Sequence, residues 1–355
     1  MPGRWTVDSQ VFQENAEKLV QKADCFAVVK NNAYNFGLDF AVDQFLQIGI
    51  QHFVTTSLHE AIAVRKRAPQ ATILLTNPTR EFDLARKYHI QLTLTSLDYF
   101  YTFKDQLEDL PLQLEYESHL HRSGLKNREE IDQVLAHRNK LDIQGIWTHF
   151  GYADDLDGPG DEYSKEREEW LDLLEGLLDD GYQFHYIHAQ NSASFFREGG
   201  LLPHHTHSRL GIALYGAKPY DDLANDRIDQ SLTVSASVVQ VRQLNQGQYA
   251  GYSFKYQASH QPTQLAIVDI GYGDGLLQAR ADYPCQIRGK DYPIVGLMMS
   301  HLLVEVDDQV QIGDRVYLYS PDPNLRIDYF THKGVGANSQ QLSALNLNSL
   351  IKEYD

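Results

Sequence analysis

The chain has little cysteine, little basic charge and no long apolar run. Cys25 and Cys285 are its only cysteines in 355 residues, too few and too far apart for a disulfide framework or a metal cluster. Both are expected to be core thiols in a reducing compartment, and no metal is expected. Lysine and arginine number 31 against 48 aspartates and glutamates, for a formal net charge of -17. A surface of that sign attracts neither nucleic acid nor an anionic membrane, so neither is expected as a partner. Nothing approaches the roughly 18 consecutive apolar residues of a membrane-spanning helix. The first 30 residues are interrupted by Arg4, Asp8, Glu14, Glu17 and Lys18, which leaves no apolar stretch for a signal peptide and makes the cytoplasm the expected location.

What the chain has is length and rhythm. Its size fits a barrel of about 250 residues with a smaller second domain. Short apolar strand candidates recur at 26–29, 52–55, 72–75, 91–95, 112–117, 143–148, 186–189 and 208–212. Between most of them the spacing predicts helices, over 39–48, 57–67, 80–88, 96–107, 128–137 and 162–179. Strand and helix alternating eight times is the expectation for an α/β chain folded as a (β/α)8 TIM-like barrel, although a doubly wound sheet would use the same elements. After about residue 230 the texture changes to alternating stretches such as Leu232–Val239 and Gln264–Val268, with turn signals at Gly247, Gly289 and Gly313. These predict a β-rich C-terminal domain. The expected division is 1–230 for the barrel and 231–355 for the β domain.

Lys30 ends the apolar run Phe26-Ala27-Val28-Val29, just before the turn Asn31-Asn32-Ala33-Tyr34-Asn35-Phe36-Gly37. An amine at such a place can form a Schiff base with an aldehyde cofactor. In a barrel the carboxyl ends of the strands converge on one face, and reactive residues fall there repeatedly. Arg122 follows the fifth strand, His149 ends the sixth, Asn191 and Ser192 follow the seventh, and Arg209 lies in the eighth. Each alone has an ordinary explanation: Arg122 could pair with Glu117, His149 could be a satisfied core histidine, and Ser192 could cap the helix opening at Ala193. Together, at corresponding ends of successive strands, they point to one site.

The ordered blocks Val28–Tyr34, Thr148-His149-Phe150, Asn191-Ser192-Ala193, Arg209–Gly216, Gly271–Gly275 and Pro293–Gly296 resemble those of the alanine racemase family. The resemblance implies a barrel with a β domain, pyridoxal 5'-phosphate, a homodimer with shared active sites, and a role in supplying D-alanine for peptidoglycan. It makes Lys30 the Schiff-base lysine and the acid/base on one face of the substrate carbon. Tyr252 becomes the group on the opposite face, contributed by the partner chain; Tyr249 and Tyr256 compete for that assignment. Two such groups are needed because racemisation removes a proton from one side of a carbon and returns it from the other. The resemblance further assigns the cofactor phosphate to Tyr34, Ser192 and the backbone N–H groups of Gly211 and Ile212. Asn191 belongs to the same cofactor-binding block. Arg209 would face the pyridine nitrogen, with His149 bonded to Arg209 or lying against the ring. Arg122 would contact the phenolic side and the substrate carboxylate, Tyr272 would line the entrance, and the backbone of Ser300 would touch the substrate.

The chain also departs from the family. Glu115 stands where a lysine that becomes carbamylated is usual, and it is expected to orient Arg122 as the carbamate would, two oxygens against a guanidinium fork. His119 and His121 replace glycines, which predicts a different backbone path for that loop. Ser300, His301 and Asn31 differ from the usual residues as well, and the C-terminus lacks the usual tyrosine. These changes leave room for a racemase of serine or of a broader set. A non-catalytic cofactor carrier or a basic amino-acid decarboxylase on the same barrel is a further alternative. Single-barrel carriers lack the second domain that supplies Tyr252 and Tyr272, and the decarboxylases lack this ordered set of blocks.

Overall fold

Eight parallel strands form the larger of the chain's two compact units, which comprises Ala16–Leu214. The computed structural model describes residues 3–155 and 160–355. The chain opens with β1 (Arg4–Val7) and α1 (Ser9–Val20). There follow β2 (Cys25–Val28), α2 (Lys30–Tyr34), α3 (Leu38–Gln47), β3 (His52–Thr55), α4 (Leu58–Arg67), β4 (Thr72–Leu75), α5 (Phe82–Lys87), β5 (Gln91–Leu94) and α6 (Leu97–Leu107). Then come β6 (Pro111–Glu115), α7 (Arg128–Leu135), β7 (Asp142–Trp147), α8 (Glu162–Asp179), β8 (Tyr186–His188), α9 (Ser192–Glu198) and β9 (Ser208–Leu210).

The sheet runs in the order β8-β7-β6-β5-β4-β3-β2-β9. Thr206 N–H to the Ile187 carbonyl at 2.9 Å and Arg209 N–H to the Gln190 carbonyl at 2.7 Å nearly close it into a barrel. The strands are almost continuously apolar because a parallel barrel buries both of their faces. Phe26, Val54, Leu74 and Trp147 pack together inside this unit. Helix starts are set by side chains: Ser57, Ser96, Asn127, Asp161 and Asn191 each accept the N–H three residues on. Each cap satisfies a donor that the helix leaves unpaired. Because these helices follow β3, β5, β6, β7 and β8, the same caps fix the loops at the carboxyl end of the barrel.

The second unit combines the chain up to Asn15 with Tyr215–Asp355. Its strands are β10 (Leu232–Leu244), β11 (Tyr249–Ala250), β12 (Tyr256–Gln257), β13 (Thr263–Val268), β14 (Cys285–Ile287), β15 (Lys290–Tyr292), β16 (Ile294–Leu297), β17 (Leu302–Val306), β18 (Arg315–Tyr319) and, after α10 (Ile327–His332) and α11 (Asn338–Ala344), β19 (Ile351–Tyr354). The main sheet follows the order β15-β14-β18-β10-β13-β17-β16. β1 joins it, antiparallel to β10 and parallel to β19. A buried ion pair, Arg326 to Asp328 at 2.7 Å, ties this unit internally, with Arg326 also bonding the carbonyls of Gly216 and Ile228.

Cys25 and Cys285 are both buried free thiols, and burial pushes each up to about 12. Among the described residues no helix is long and apolar enough to cross a membrane. None of their His, Cys, Asp and Glu side chains form a group of three or more that could hold a metal ion.

Candidate active site

Directly after Lys30 the backbone turns left-handed. Asn31, Asn32 and Ala33 have φ 53, Tyr34 has φ 51 and Asn35 has φ 73. Left-handed geometry costs an L-residue roughly 1–2 kcal/mol, and asparagine tolerates it better than most. The surroundings hold the turn in place. Asn32 N–H donates to Glu60 Oε1 at 2.8 Å, while Thr55 and Ser57 hydroxyls donate to Glu60 Oε2 at 2.6 and 2.9 Å. Leu38 N–H donates to Asn32 Oδ1. The left-handed path brings the buried Tyr34 against Gly211, where a Cβ would lie 2.6 Å from the Tyr34 hydroxyl. Burial lowers the Lys30 amine below its usual range, and the nearby Arg122 cation lowers it further.

Arg209, on β9, is buried and bonded from several sides. Nη1 donates to His188 Nδ1 at 2.7 Å and to the His188 carbonyl at 3.0 Å. Nη2 donates to the carbonyls of Thr148 at 2.7 Å and Ala189 at 3.0 Å, and to His149 Nδ1 at 3.2 Å. Nε has no partner among the described residues. Burial lowers Arg209 to about 9, with Glu115 opposing and Arg122 adding to the shift. It is therefore still a cation at neutral pH. His149 is held well below its usual range by burial, then by Arg209, Arg122 and Lys30, so its imidazole is neutral and can accept from Arg209.

Asn191 caps α9: its Oδ1 accepts the Ser194 N–H at 3.0 Å, and its Nδ2 donates to the Phe150 carbonyl. The cap is thus Asn191, leaving Ser192 free of the capping role its position suggested. Ser192 Oγ instead accepts the Gly211 N–H at 3.2 Å and the Ala213 N–H at 3.4 Å. Gly211, Ser192 and Tyr34 therefore meet at the ends of β8, β9 and β2, with Ile212 opening the turn that follows β9.

Arg122 lies exposed in the loop between β6 and α7. Its expected fork with Glu115 is not formed: no hydrogen bond or ion pair joins the two among the described residues. Glu115 Oε1 accepts from Ser123 Oγ at 2.9 Å, and Oε2 is buried without a partner. Arg122 acts on Glu115 only through its charge, and burial pushes the carboxyl up to about 7 against the Ser123 bond, Arg122 and Arg209. Nor does Arg122 pair with Glu117, which is engaged by His121 at 3.0 Å.

The remaining candidates belong to the β-rich unit. Tyr252 sits at the tip of the β11–β12 hairpin, beyond Gly251 with φ 75, and is 73% exposed. Tyr256 donates its hydroxyl to Glu305 at 2.7 Å and is engaged there, whereas Tyr249 is exposed with only a ring contact to Phe254. Tyr272 N–H bonds the Met298 carbonyl at 2.9 Å and Gly273 N–H the Met299 carbonyl at 2.8 Å. A Cβ at Gly271 would meet the Met298 oxygen at 2.2 Å. Only glycine there lets Tyr272 lie along the turn that carries the exposed Ser300.

Within the barrel unit the predicted residues Lys30, Tyr34, Arg122, His149, Asn191, Ser192, Arg209, Gly211 and Ile212 thus sit at the carboxyl ends of five strands. Tyr252, Tyr272 and Ser300 are carried by the other unit. Sequence reasoning missed Glu60, which fastens the left-handed turn, and His188, which grips Arg209. Ser57-x-x-Glu60 has the spacing of a helix capping box, a signal that could have marked Glu60; nothing local marked His188.

An eight-stranded parallel barrel with reactive side chains gathered at the carboxyl ends of its strands, followed in sequence by a β-rich unit, has the layout of a barrel enzyme. Residues 7–219 match the family described as alanine racemase, N-terminal domain, and residues 231–345 match alanine racemase, C-terminal domain. The chain belongs to the alanine racemase family. It is 53% identical over 360 aligned positions to alanine racemase 2 of Staphylococcus aureus, covering 100% of this chain and 99% of that one. Among solved structures, the alanine racemase of E. faecalis superposes with a TM-score of 0.89 at 24% identity, over 100% of this chain and 98% of the other. The alanine racemase of Bartonella henselae, with covalently bound pyridoxal phosphate, gives 0.86 at 22% identity over 100% of both chains. These two likenesses show the fold.

Proposed function

We propose that this protein is a racemase that interconverts L- and D-alanine with pyridoxal 5'-phosphate as its cofactor, by a two-base mechanism using Lys30 and Tyr252. The observation that carries it is the convergence of Lys30, Arg122, His149 and Arg209: Arg122 acts on the Lys30 amine, and Arg209, Arg122 and Lys30 all act on His149. Family membership and the S. aureus relative support the activity.

The residues fit the cofactor. Gly211 leaves a cradle beside the Tyr34 hydroxyl that any side chain would fill. Ser192, Tyr34 and the backbone N–H of Ile212 would form a neutral donor set suited to a phosphate, joined by the Gly211 N–H once it turns from the Ser192 hydroxyl that now accepts it. Asn191, as the cap of α9, holds Ser192 beside them. When bound, the cofactor spreads the charge left on the substrate carbon as its proton departs. Lys30 would hold it covalently and exchange that proton on one face, and its lowered pKa makes the neutral amine available closer to neutrality. Arg209, cationic and with Nε unoccupied, would offer the pyridine nitrogen a hydrogen bond rather than a proton. His149 accepts from Arg209 and keeps it oriented. Arg122 would receive the substrate carboxylate.

The opposite face would be served by Tyr252 of a second copy of the chain, in a homodimer whose two sites are each completed by the partner's β domain, 231–355. Tyr272 and the Ser300 backbone would line the entrance. The 73% exposure of Tyr252 supports a role fulfilled against another surface. The two buried thiols fit a reducing compartment, and the cytoplasm is the location we assign; the D-alanine made there would serve peptidoglycan assembly.

The test is to incubate the pure loaded protein with each single enantiomer of alanine and of serine and to resolve the products by chiral chromatography. Inversion of alanine in both directions is expected. Inversion of serine alone would replace alanine as the substrate, and no inversion of either would end the racemase reading.

A further inference from the structure

Glu166 is a buried acid without a cation of its own. It lies on α8, 3% exposed, and burial raises its carboxyl above the usual range. Removing a carboxylate from water is costly unless its oxygens are satisfied, and here each oxygen is satisfied by a different loop. Oε1 accepts the backbone N–H of His119 and Oε2 that of Gly151, both at 2.8 Å. His119 lies in the loop after β6, three residues before Arg122. Gly151 lies in the loop after β7, two residues beyond His149.

The rest of α8 reinforces the grip. Glu162, Glu166 and Glu169 fall on one helix face, and the His119 imidazole reaches Glu169 at 2.9 Å and Glu162 at 3.7 Å. Leu120 lies directly on Gly151, where a Cβ would come within 2.7 Å of Leu120 Cγ. Tyr152 donates its hydroxyl to the His119 carbonyl at 3.4 Å. On the far side of Arg122 the loop is fastened again, by Ser123 to Glu115 at 2.9 Å and by Gly124 N–H to the Thr95 carbonyl at 2.7 Å. Arg122 is therefore a short free span between two anchors, and it has no hydrogen-bond or ion-pair partner of its own among the described residues.

We propose that Glu166 is a positioning residue for Arg122: by accepting one backbone N–H from each of two neighbouring loops, it sets the place from which Arg122 receives the substrate carboxylate. The inference rests on the reading of Arg122 given above. Glu166 touches neither substrate nor cofactor and acts through the loop alone. Its effect is expected chiefly on substrate binding, because Lys30, which follows β2, and Arg209, on β9, make no bond to Glu166 and keep their other contacts.

The test is Glu166→Gln. An amide can accept from one N–H but turns its own NH2 toward the other, so one loop is released. In the loaded enzyme KM for alanine should rise about tenfold with kcat within about twofold, equally in both directions. Amide hydrogen exchange should accelerate in residues 118–124 or 150–152 and nowhere else in the barrel. Should Glu166→Gln fold poorly, Glu169→Gln loosens the same loop at an exposed site and should raise KM by a smaller factor. Arg122→Gln separates the two readings. If Arg122→Gln raises KM while Glu166→Gln and Glu169→Gln leave it and the exchange rates unchanged, Glu166 does not position Arg122. A loss confined to kcat overturns the proposal as well, and an unchanged KM in Arg122→Gln overturns the assignment of Arg122 itself.

Discussion

Arg209 donates from Nη1 to Nδ1 of His188 at 2.7 Å, and this bond fixes every hydrogen beyond it. Guanidinium has no acceptor, so Nδ1 accepts and the His188 proton lies on Nε2. That atom donates to Gln113 Oε1 at 2.7 Å, and Gln113 Nε2 donates to Gln91 Oε1 at 2.6 Å. One cation on β9 thus orients three further side chains, on β8, β6 and β5. Burial and then Arg209 hold His188 well below its usual range, which keeps it neutral and able to accept.

Replacing His188 by leucine should break this chain in the middle, leaving a buried guanidinium N–H and the Gln113 oxygen unpaired. The expected cost is about 2–4 kcal/mol, visible as a fall of several degrees in Tm. kcat should drop too, because Arg209 loses part of what orients it. A variant with unchanged Tm and kcat would show that the bonds Arg209 donates to the Thr148 and Ala189 carbonyls suffice.

Glu115 carries a pH dependence with a definite sign. Its folded pKa, about 7, lies above the 4.5 of an unperturbed glutamate, chiefly through burial. A raised pKa means the folded state binds the proton more tightly, so this contribution to stability is complete below pH 4.5 and is lost as pH rises through about 7. The loss amounts to at most about 3 kcal/mol. Glu115→Gln removes the titration, so the Tm difference between variant and wild type should shift in the variant's favour between pH 5.5 and 8.5. Parallel melting curves over that range would mean that Glu115 does not gain its proton on folding.

Lys30→Ala should lose cofactor on dialysis, whereas Tyr252→Phe should retain it. Tyr252→Phe should also slow racemisation unequally in the two directions, because each face has its own base. Initial rates from pure L- and pure D-alanine, with cofactor content read after dialysis, decide the matter. Normal rates in both directions for Tyr252→Phe would remove it from the mechanism.

Gly211→Ala places a methyl 2.6 Å from the Tyr34 hydroxyl. The contact should push apart the proposed phosphate donors and weaken cofactor binding about tenfold or more, and the overpacking should lower the Tm of the apoprotein by a few degrees as well. Equilibrium titration with pyridoxal phosphate measures this directly. Unaltered affinity would place the phosphate elsewhere.

Much of the barrel could be read from the sequence because its strands are short apolar runs bounded by caps. His52–Thr55 and Thr72–Leu75 begin and end where the pattern says, and α8 spans its predicted 162–179. The turn after Lys30 was legible as a turn, but not its hand: Asn31 and Asn32 permit left-handed geometry without requiring it. The pairing of β1 with β10 and β19 joins segments more than 200 residues apart, and no local pattern records it. The fork expected between Glu115 and Arg122 is not formed, because it depends on where an exposed loop carries the Arg122 side chain. Nothing in the sequence distinguishes Glu166 from the other acids of 162–179; only the fold places it between two loops.

The pairing of β2 with β9 joins Cys25–Ala27 to Ser208–Leu210. Lys30 is made early, but the strand that closes the ring beside it is among the last parts of the barrel to be synthesised. Closing so long a loop is slow relative to local pairing. A ribosome-bound chain stalled before residue 208 therefore carries Lys30, Tyr34 and Ser192 without Arg209, Gly211 and Ile212, and on the proposed reading stable cofactor capture would await nearly complete translation of the barrel.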